Sequence, residues 1–161
     1  MRASKAVHPL LLEPTYWRSK LQGMEQVGRS LTFVPRPDLS GGGSEVVEFR
    51  LRAHDGTRLW GLLAKPGWQE GQRPARIRMV GPSERPQIDR QAVERGDAEV
   101  VFQEPPGRRL EDRVLDVVRI CQFAQDTEGV DAGRIRFVSP RGRREPDEFL
   151  IAQQLLRFNF Y

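Results

Sequence analysis

The sequence predicts an α/β fold with a largely parallel sheet, and three features carry that expectation. An alternating polar and apolar stretch, Val47 to Arg52, and a second strand pattern, Leu59 to Ala64, flank Asp55-Gly56-Thr57, the signature of an antiparallel hairpin. Behind the hairpin, short apolar runs alternate with helical patterns, as in a sheet built from crossover helices. The clearest helical pattern, Leu110 to Asp126, places Val114, Val117, Val118, Cys121 and Ala124 on one face, widened by Leu115 and Phe123.

In chain order, Pro14 stands just inside a helix start. Tyr16, Trp17, Leu21 and Met24 follow at roughly helical spacing, so a short amphipathic helix should end near Gly28. Pro35, Pro37 and the run Ser40-Gly41-Gly42-Gly43-Ser44 read as a flexible linker. A boundary there divides the chain into an N-terminal extension, residues 1–44, and a domain, residues 45–161. Val47, Phe49 and Leu51 alternate with Glu48, Arg50 and Arg52 in the first predicted strand. Leu59 to Ala64 is the second, stopped by Lys65-Pro66-Gly67. Ala75 to Val80 makes a third strand, and Gln87 to Arg95 a helix stopped by Gly96. Ala98 to Phe102 is a fourth strand, closed by Pro105-Pro106-Gly107. Gly129 ends the long helix and Arg134 to Val138 is a fifth strand. Pro146 then opens a last helix through Phe149, Leu150, Ala152, Gln153 and Leu156. The expected core is therefore a sheet of about five strands, mostly parallel apart from the N-terminal antiparallel hairpin, with flanking helices.

Composition narrows the function classes. The 161 residues suit one domain. A hydrophobic share of 38% and a charged share of 30% describe a thin core under a heavily charged surface. No apolar run approaches the ~18–20 residues of a membrane span, and Leu10-Leu11-Leu12 is too short for a signal peptide. The lone Cys121 excludes an internal disulfide and fits a reducing cytoplasm; on the apolar helix face it reads as a small core residue. A net charge of +4 raises nucleic acid as a partner. Acidic residues are interspersed nearly everywhere, however, and a mixed solvated surface is the favoured reading.

Four stretches carry a family likeness. Tyr16-Trp17 precedes the sheet, and His54-Asp55-Gly56-Thr57-Arg58-Leu59-Trp60-Gly61 runs through the hairpin. Asp112 opens the long helix ahead of Gly129-Val130-Asp131-Ala132-Gly133-Arg134-Ile135, and a helix begins at Asp147. Together they resemble the α/β-hydrolase superfamily, nearest its acetyl xylan esterase and dienelactone hydrolase-like branches. The resemblance implies the N-terminal half of an α/β-hydrolase-like fold, with a Gly-x-Ser-x-Gly nucleophile turn after Ile135–Val138. The chain instead reads Ser139-Pro140-Arg141-Gly142-Arg143. In strand register Arg141 takes the nucleophile position, and a guanidinium cannot attack a carbonyl. If Ser139 is the nucleophile, Pro140 follows it with no N–H for the oxyanion. The loop after the third strand reads Val80-Gly81-Pro82 where the family often has His-Gly. His8 and His54 both precede the turn, against the family order of serine, acid, histidine. His54 itself reads as an exposed turn residue. On this reading no residue is catalytic and none binds a cofactor or metal, since no His, Cys or carboxylate group has metal-ligand spacing.

The basic run Arg141-Gly142-Arg143-Arg144 fits either an anion-binding turn at a helix start or, as the favoured reading, a solvated loop neutralised by Glu145, Asp147 and Glu148. The Gly41–Gly43 run lacks the Lys-Ser/Thr of a phosphate loop. With the chain ending at Tyr161, Ile135–Val138 is expected as an open sheet edge. Arg76, Arg78, Arg134 and Arg136 give one sheet face a polar character, and the aromatic tail Phe158-Asn159-Phe160-Tyr161 is expected to dock. The expected function is that of a non-catalytic pseudo-hydrolase, a structural or scaffolding subunit bound to other protein subunits. A basic nucleic-acid- or ribosome-associated module is the alternative, and a residual serine esterase using Ser139 the third reading.

Overall fold

The computed structural model describes residues 14–67, 71–139 and 147–157. Six strands form one mixed sheet in the order β1-β2-β3-β5-β4-β6. They are β1 (Thr32–Pro35), β2 (Ser44–Arg52), β3 (Arg58–Pro66), β4 (Arg73–Val80), β5 (Ala98–Gln103) and β6 (Val130–Phe137). β1, β2, β3 and β5 pair antiparallel in turn, while β4 pairs parallel with β5 and β6. With its flanking helices this is a partial α/β-hydrolase-like fold.

The hairpin forms where the alternation and the Asp55-Gly56 turn require it. Ala53 N–H donates to the Thr57 carbonyl at 2.7 Å, and Gly56 adopts a φ of 83°, the left-handed region that favours glycine. Three helices pack one sheet face: α1 (Pro14–Gln26), α3 (Leu110–Gln125) and α4 (Asp147–Arg157). Trp17 and Met24 of α1, Val117 and Phe123 of α3, and Phe149 of α4 share one buried cluster with Phe49, Ile77 and Val100 of the sheet. On the other face α2 (Arg90–Glu94) sets Val93 against Val46, Leu62 and Ala64. Buried Arg119 ties α1 to the sheet. It donates to the carbonyls of Arg52 at 2.9 Å and Met24 at 3.1 Å, and also to that of Val27. It thereby adds a charged donor to carbonyls at the end of α1, where the Met24 carbonyl also accepts the Val27 N–H.

Several boundaries differ from expectation. β1 is an added strand, exposed along its length, and it exists only through its pairing with β2. The Gly/Ser run behind it forms a tight turn with a Gly41–Ser44 bridge, and α1 and β1 share the core and sheet of the residues that follow. α2 spans Arg90–Glu94 rather than 87–95. Arg78 takes the Gln87 carbonyl at 2.5 Å and the Glu99 carboxylate accepts Asp89 N–H at 3.1 Å, which holds residues 87–89 out of the helix. Asp89 then caps α2 by accepting Gln91 N–H. β6 begins at Val130, not Arg134, with an irregularity opposite Arg73 and Ala75. The aromatic tail, residues 158–161, lies outside the described residues. Among the described residues no helix is long and apolar enough to cross a membrane.

Candidate functional site

The parallel strands end together, and ligands of open α/β sheets bind outside those carboxyl ends. Four segments line this edge: the β2–β3 turn at 53–57, the loops after β4 and β5, and the end of β6 at Val138-Ser139. The loop after β4 is fixed from below. Trp60 donates to Gln103 Oε1 at 2.8 Å, and Gln103 Nε2 donates to the carbonyls of Pro82 at 3.1 Å and Glu84 at 2.9 Å.

A charged network fills the space between the turn and the start of α3. His54 Nε2 lies 3.0 Å from Asp112 Oδ1, while Asp112 Oδ2 accepts the Arg109 N–H and caps α3. Arg108 grips Asp116 with two hydrogen bonds, 2.9 and 2.6 Å, and reaches Asp55 at 2.5 Å. Burial raises the proton affinity of Asp55, but hydrogen bonds from Arg108 and the Thr57 N–H outweigh it and hold the carboxyl well below its usual range. Asp112 follows the same rule: burial pushes up, and the Arg109 N–H and His54 pull it lower. Asp116 is more deeply enclosed, and burial wins there against the Arg108 fork. A second group stands where α4 begins. Arg113 lies 3.7 Å from Glu104 and 3.6 Å from Glu148, and burial raises Glu104 against the pull of Arg113.

His54, expected as an exposed turn residue, is therefore half-buried and bonded. The fold also brings His54, Asp55 and Asp112 together, with ligand atoms all within 4.8 Å of one another, although no sequence spacing showed it. Arg108 and the positive N-terminus of α3 already serve those carboxylates, and both oppose a cation there. His54 stands apart from Ser139. The turn belongs to β2 and β3, and from β3 to β6 is three strand spacings, ~14 Å. Arg141, Gly142, Arg143 and Arg144 lie outside the described residues.

The strand arginines of the polar face are matched internally. Arg76 pairs with Asp89 at 3.2 Å, Arg78 with Glu99 at 2.7 Å, Arg134 with Asp131 at 2.8 Å and Arg136 with Asp97 at 3.4 Å. In the sequence Asp55 reads only as a turn residue, and nothing local marks Arg108 or Asp116 as members of its network. The Asp112/Asp116 spacing of one helical turn was the available signal, since it sets both carboxylates on one side of α3.

No family model and no curated protein matches the chain. Solved structures do. An acetyl xylan esterase from Paenibacillus sp. R4 matches with a TM-score of 0.64 at 18% identity, over 77% of this chain and 50% of its own. Acetyl xylan esterase 1 from Thermoanaerobacterium sp. JW/SL YS485 matches with the same score and identity, over 78% and 49%. A cold-adapted esterase from an Arctic intertidal metagenomic library follows at 0.50 and 14%, over 61% and 51%. The chain spans about half the length of these structures. At such identities the likeness establishes an α/β-hydrolase-like fold.

Proposed function

We propose that the chain is a non-catalytic, protein-binding module on the α/β-hydrolase fold, a structural subunit whose sheet is extended by another polypeptide. One observation carries this reading: among the described residues β6 pairs with β4 alone, so its second edge is open. Val138 N–H donates to the Ile77 carbonyl at 2.9 Å. Ladder alternation then turns the N–H groups of Arg136 and Val138 toward β4, and those of Ile135 and Phe137 outward. Such a row of free groups accepts an added strand. Ile135 and Phe137 are partly buried on the helical face, whereas Arg134 and Arg136 are exposed on the other. An incoming strand with apolar residues on one side and acidic or polar ones on the other continues both patterns.

The non-catalytic half rests on the nucleophile position. Pro140 after Ser139 offers no N–H to an oxyanion, and His54 is bonded to Asp112 rather than placed beside Ser139. Two experiments test the proposal. When the full chain is isolated with its partner, Ile135→Pro removes one outward donor and is expected to release that partner; Ile135→Ala, which keeps the N–H, retains it. A partner that stays on folded Ile135→Pro overturns edge docking. Hydrolysis of p-nitrophenyl acetate that disappears with Ser139→Ala overturns the non-catalytic reading.

A further inference from the structure

On the far side of the sheet from β6, a groove of about 350 Å³ opens between β1–β3 and the C-terminal end of α3. Its walls are apolar: Leu31, Phe33, Val47, Leu63 and Phe123. The Phe123 ring packs 4.6 Å from Phe49 and 6.1 Å from Phe33, which makes a graded aromatic floor. Phe33 remains 51% exposed and Leu31 39%, so the rim is open, while Phe123 and Phe49 lie buried beneath it. An exposed apolar surface of this kind beside a cavity marks a binding site more often than a free surface.

The mouth is charged, and its balance is negative. Glu45, Asp126 and Glu128 stand there against Arg29 and Lys65. Arg29 is already held by Asp126 at 2.6 Å. Lys65 reaches only the Glu128 backbone carbonyl, at 3.4 Å, and faces Glu45 across the β2–β3 register. The negative end of the α3 dipole also faces this side, and no basic residue sits in the last turn to offset it. Aromatic faces attract cations as well.

We propose that this groove binds a small organic cation, an ammonium group carried on an aromatic or branched alkyl body. The exposed side chains of Phe33 and Leu31 receive the body over a base closed by Phe123, and the carboxylates at the mouth receive the charge. A volume at the low end of the ~300–1,000 Å³ range of ligand pockets fits a small molecule rather than a peptide segment. Lys65 is then a competitor for the same carboxylates, which gives the site a signature of opposite signs. The inference does not depend on the β6 edge, since the groove lies at the other margin of the sheet.

The test is a nitrogen-15 amide titration of the full chain at low salt with benzyltrimethylammonium chloride, and in parallel with sodium benzoate. Benzyltrimethylammonium is expected to shift Leu31, Phe33 and Phe123, with benzoate at least about tenfold weaker. Lys65→Gln should tighten the cation and Glu45→Gln should weaken it, each by roughly threefold to fivefold. Both side chains sit at the rim, so an otherwise unchanged spectrum verifies the fold of each variant. Benzoate binding as tightly as the cation overturns the proposal. So does the absence of shifts at the groove up to about 10 mM, or the two variants moving affinity in the same direction.

Discussion

A Cβ on Gly61 would lie 2.0 Å from the Val101 carbonyl oxygen and 2.8 Å from the Phe49 ring, closer than any real contact. Glycine there lets β3 and β5 approach while Phe49 closes over them. Gly61→Ala should destabilise the fold by about 3 kcal/mol or more, because backbone cannot move aside as a flexible side chain would; a urea midpoint reads this directly. Arg119→Met is expected to cost about 2–4 kcal/mol, since the Arg52 and Val27 carbonyls lose this charged donor and Met24 keeps only the Val27 N–H. The exposed Arg29–Asp126 pair gives the contrast: Asp126→Asn should shift stability by less than ~0.5 kcal/mol in the same assay. Asp112 has a pKa lowered by folding, so its contribution is complete above the unfolded value near 4 and is lost as pH falls through the folded value. Asp112→Asn should therefore cost about 1 kcal/mol at neutral pH and flatten part of the stability loss below about pH 4. Denaturation of both proteins across that range checks it.

Among the elements, those legible in the sequence are the ones whose cause is local. The hairpin follows from alternation and Asp55-Gly56, and α3 from an apolar face so broad that most of its residues from Asp112 to Ala124 are buried. β1 has no such local cause: four exposed residues ending in proline become a strand only because β2 offers an edge. α2 is shorter than its sequence pattern because Arg78 and Glu99, distant in sequence, pin its approach. The charged network was hidden for the same reason, as 58 residues separate His54 from Asp112. The proposed loss of catalysis rests on residue types alone, Pro140 after Ser139.

At the scale of the molecule, α1 and the sheet share one core even though a Gly/Ser run lies between them in sequence. Trp17, Phe49 and Leu115 belong to a single buried cluster. Single-tryptophan variants keeping Trp17 in α1 or Trp60 in β3 should therefore report the same unfolding midpoint. Separate midpoints would make residues 14–35 an independently melting unit. The polar sheet face behaves as a unit too: its arginines meet carboxylates of the same chain, so it presents matched charge rather than a basic stripe.

The alternating backbone of β6 also leaves a temporal imprint. If nothing covers the outer edge, its amides should exchange with deuterium in a two-residue rhythm, rapid at Ile135 and Phe137 and slow at Arg136 and Val138. When a strand is added the rhythm disappears and all four slow together. A change in clock rate at two backbone positions thus becomes a label-free record of when the sheet is complete.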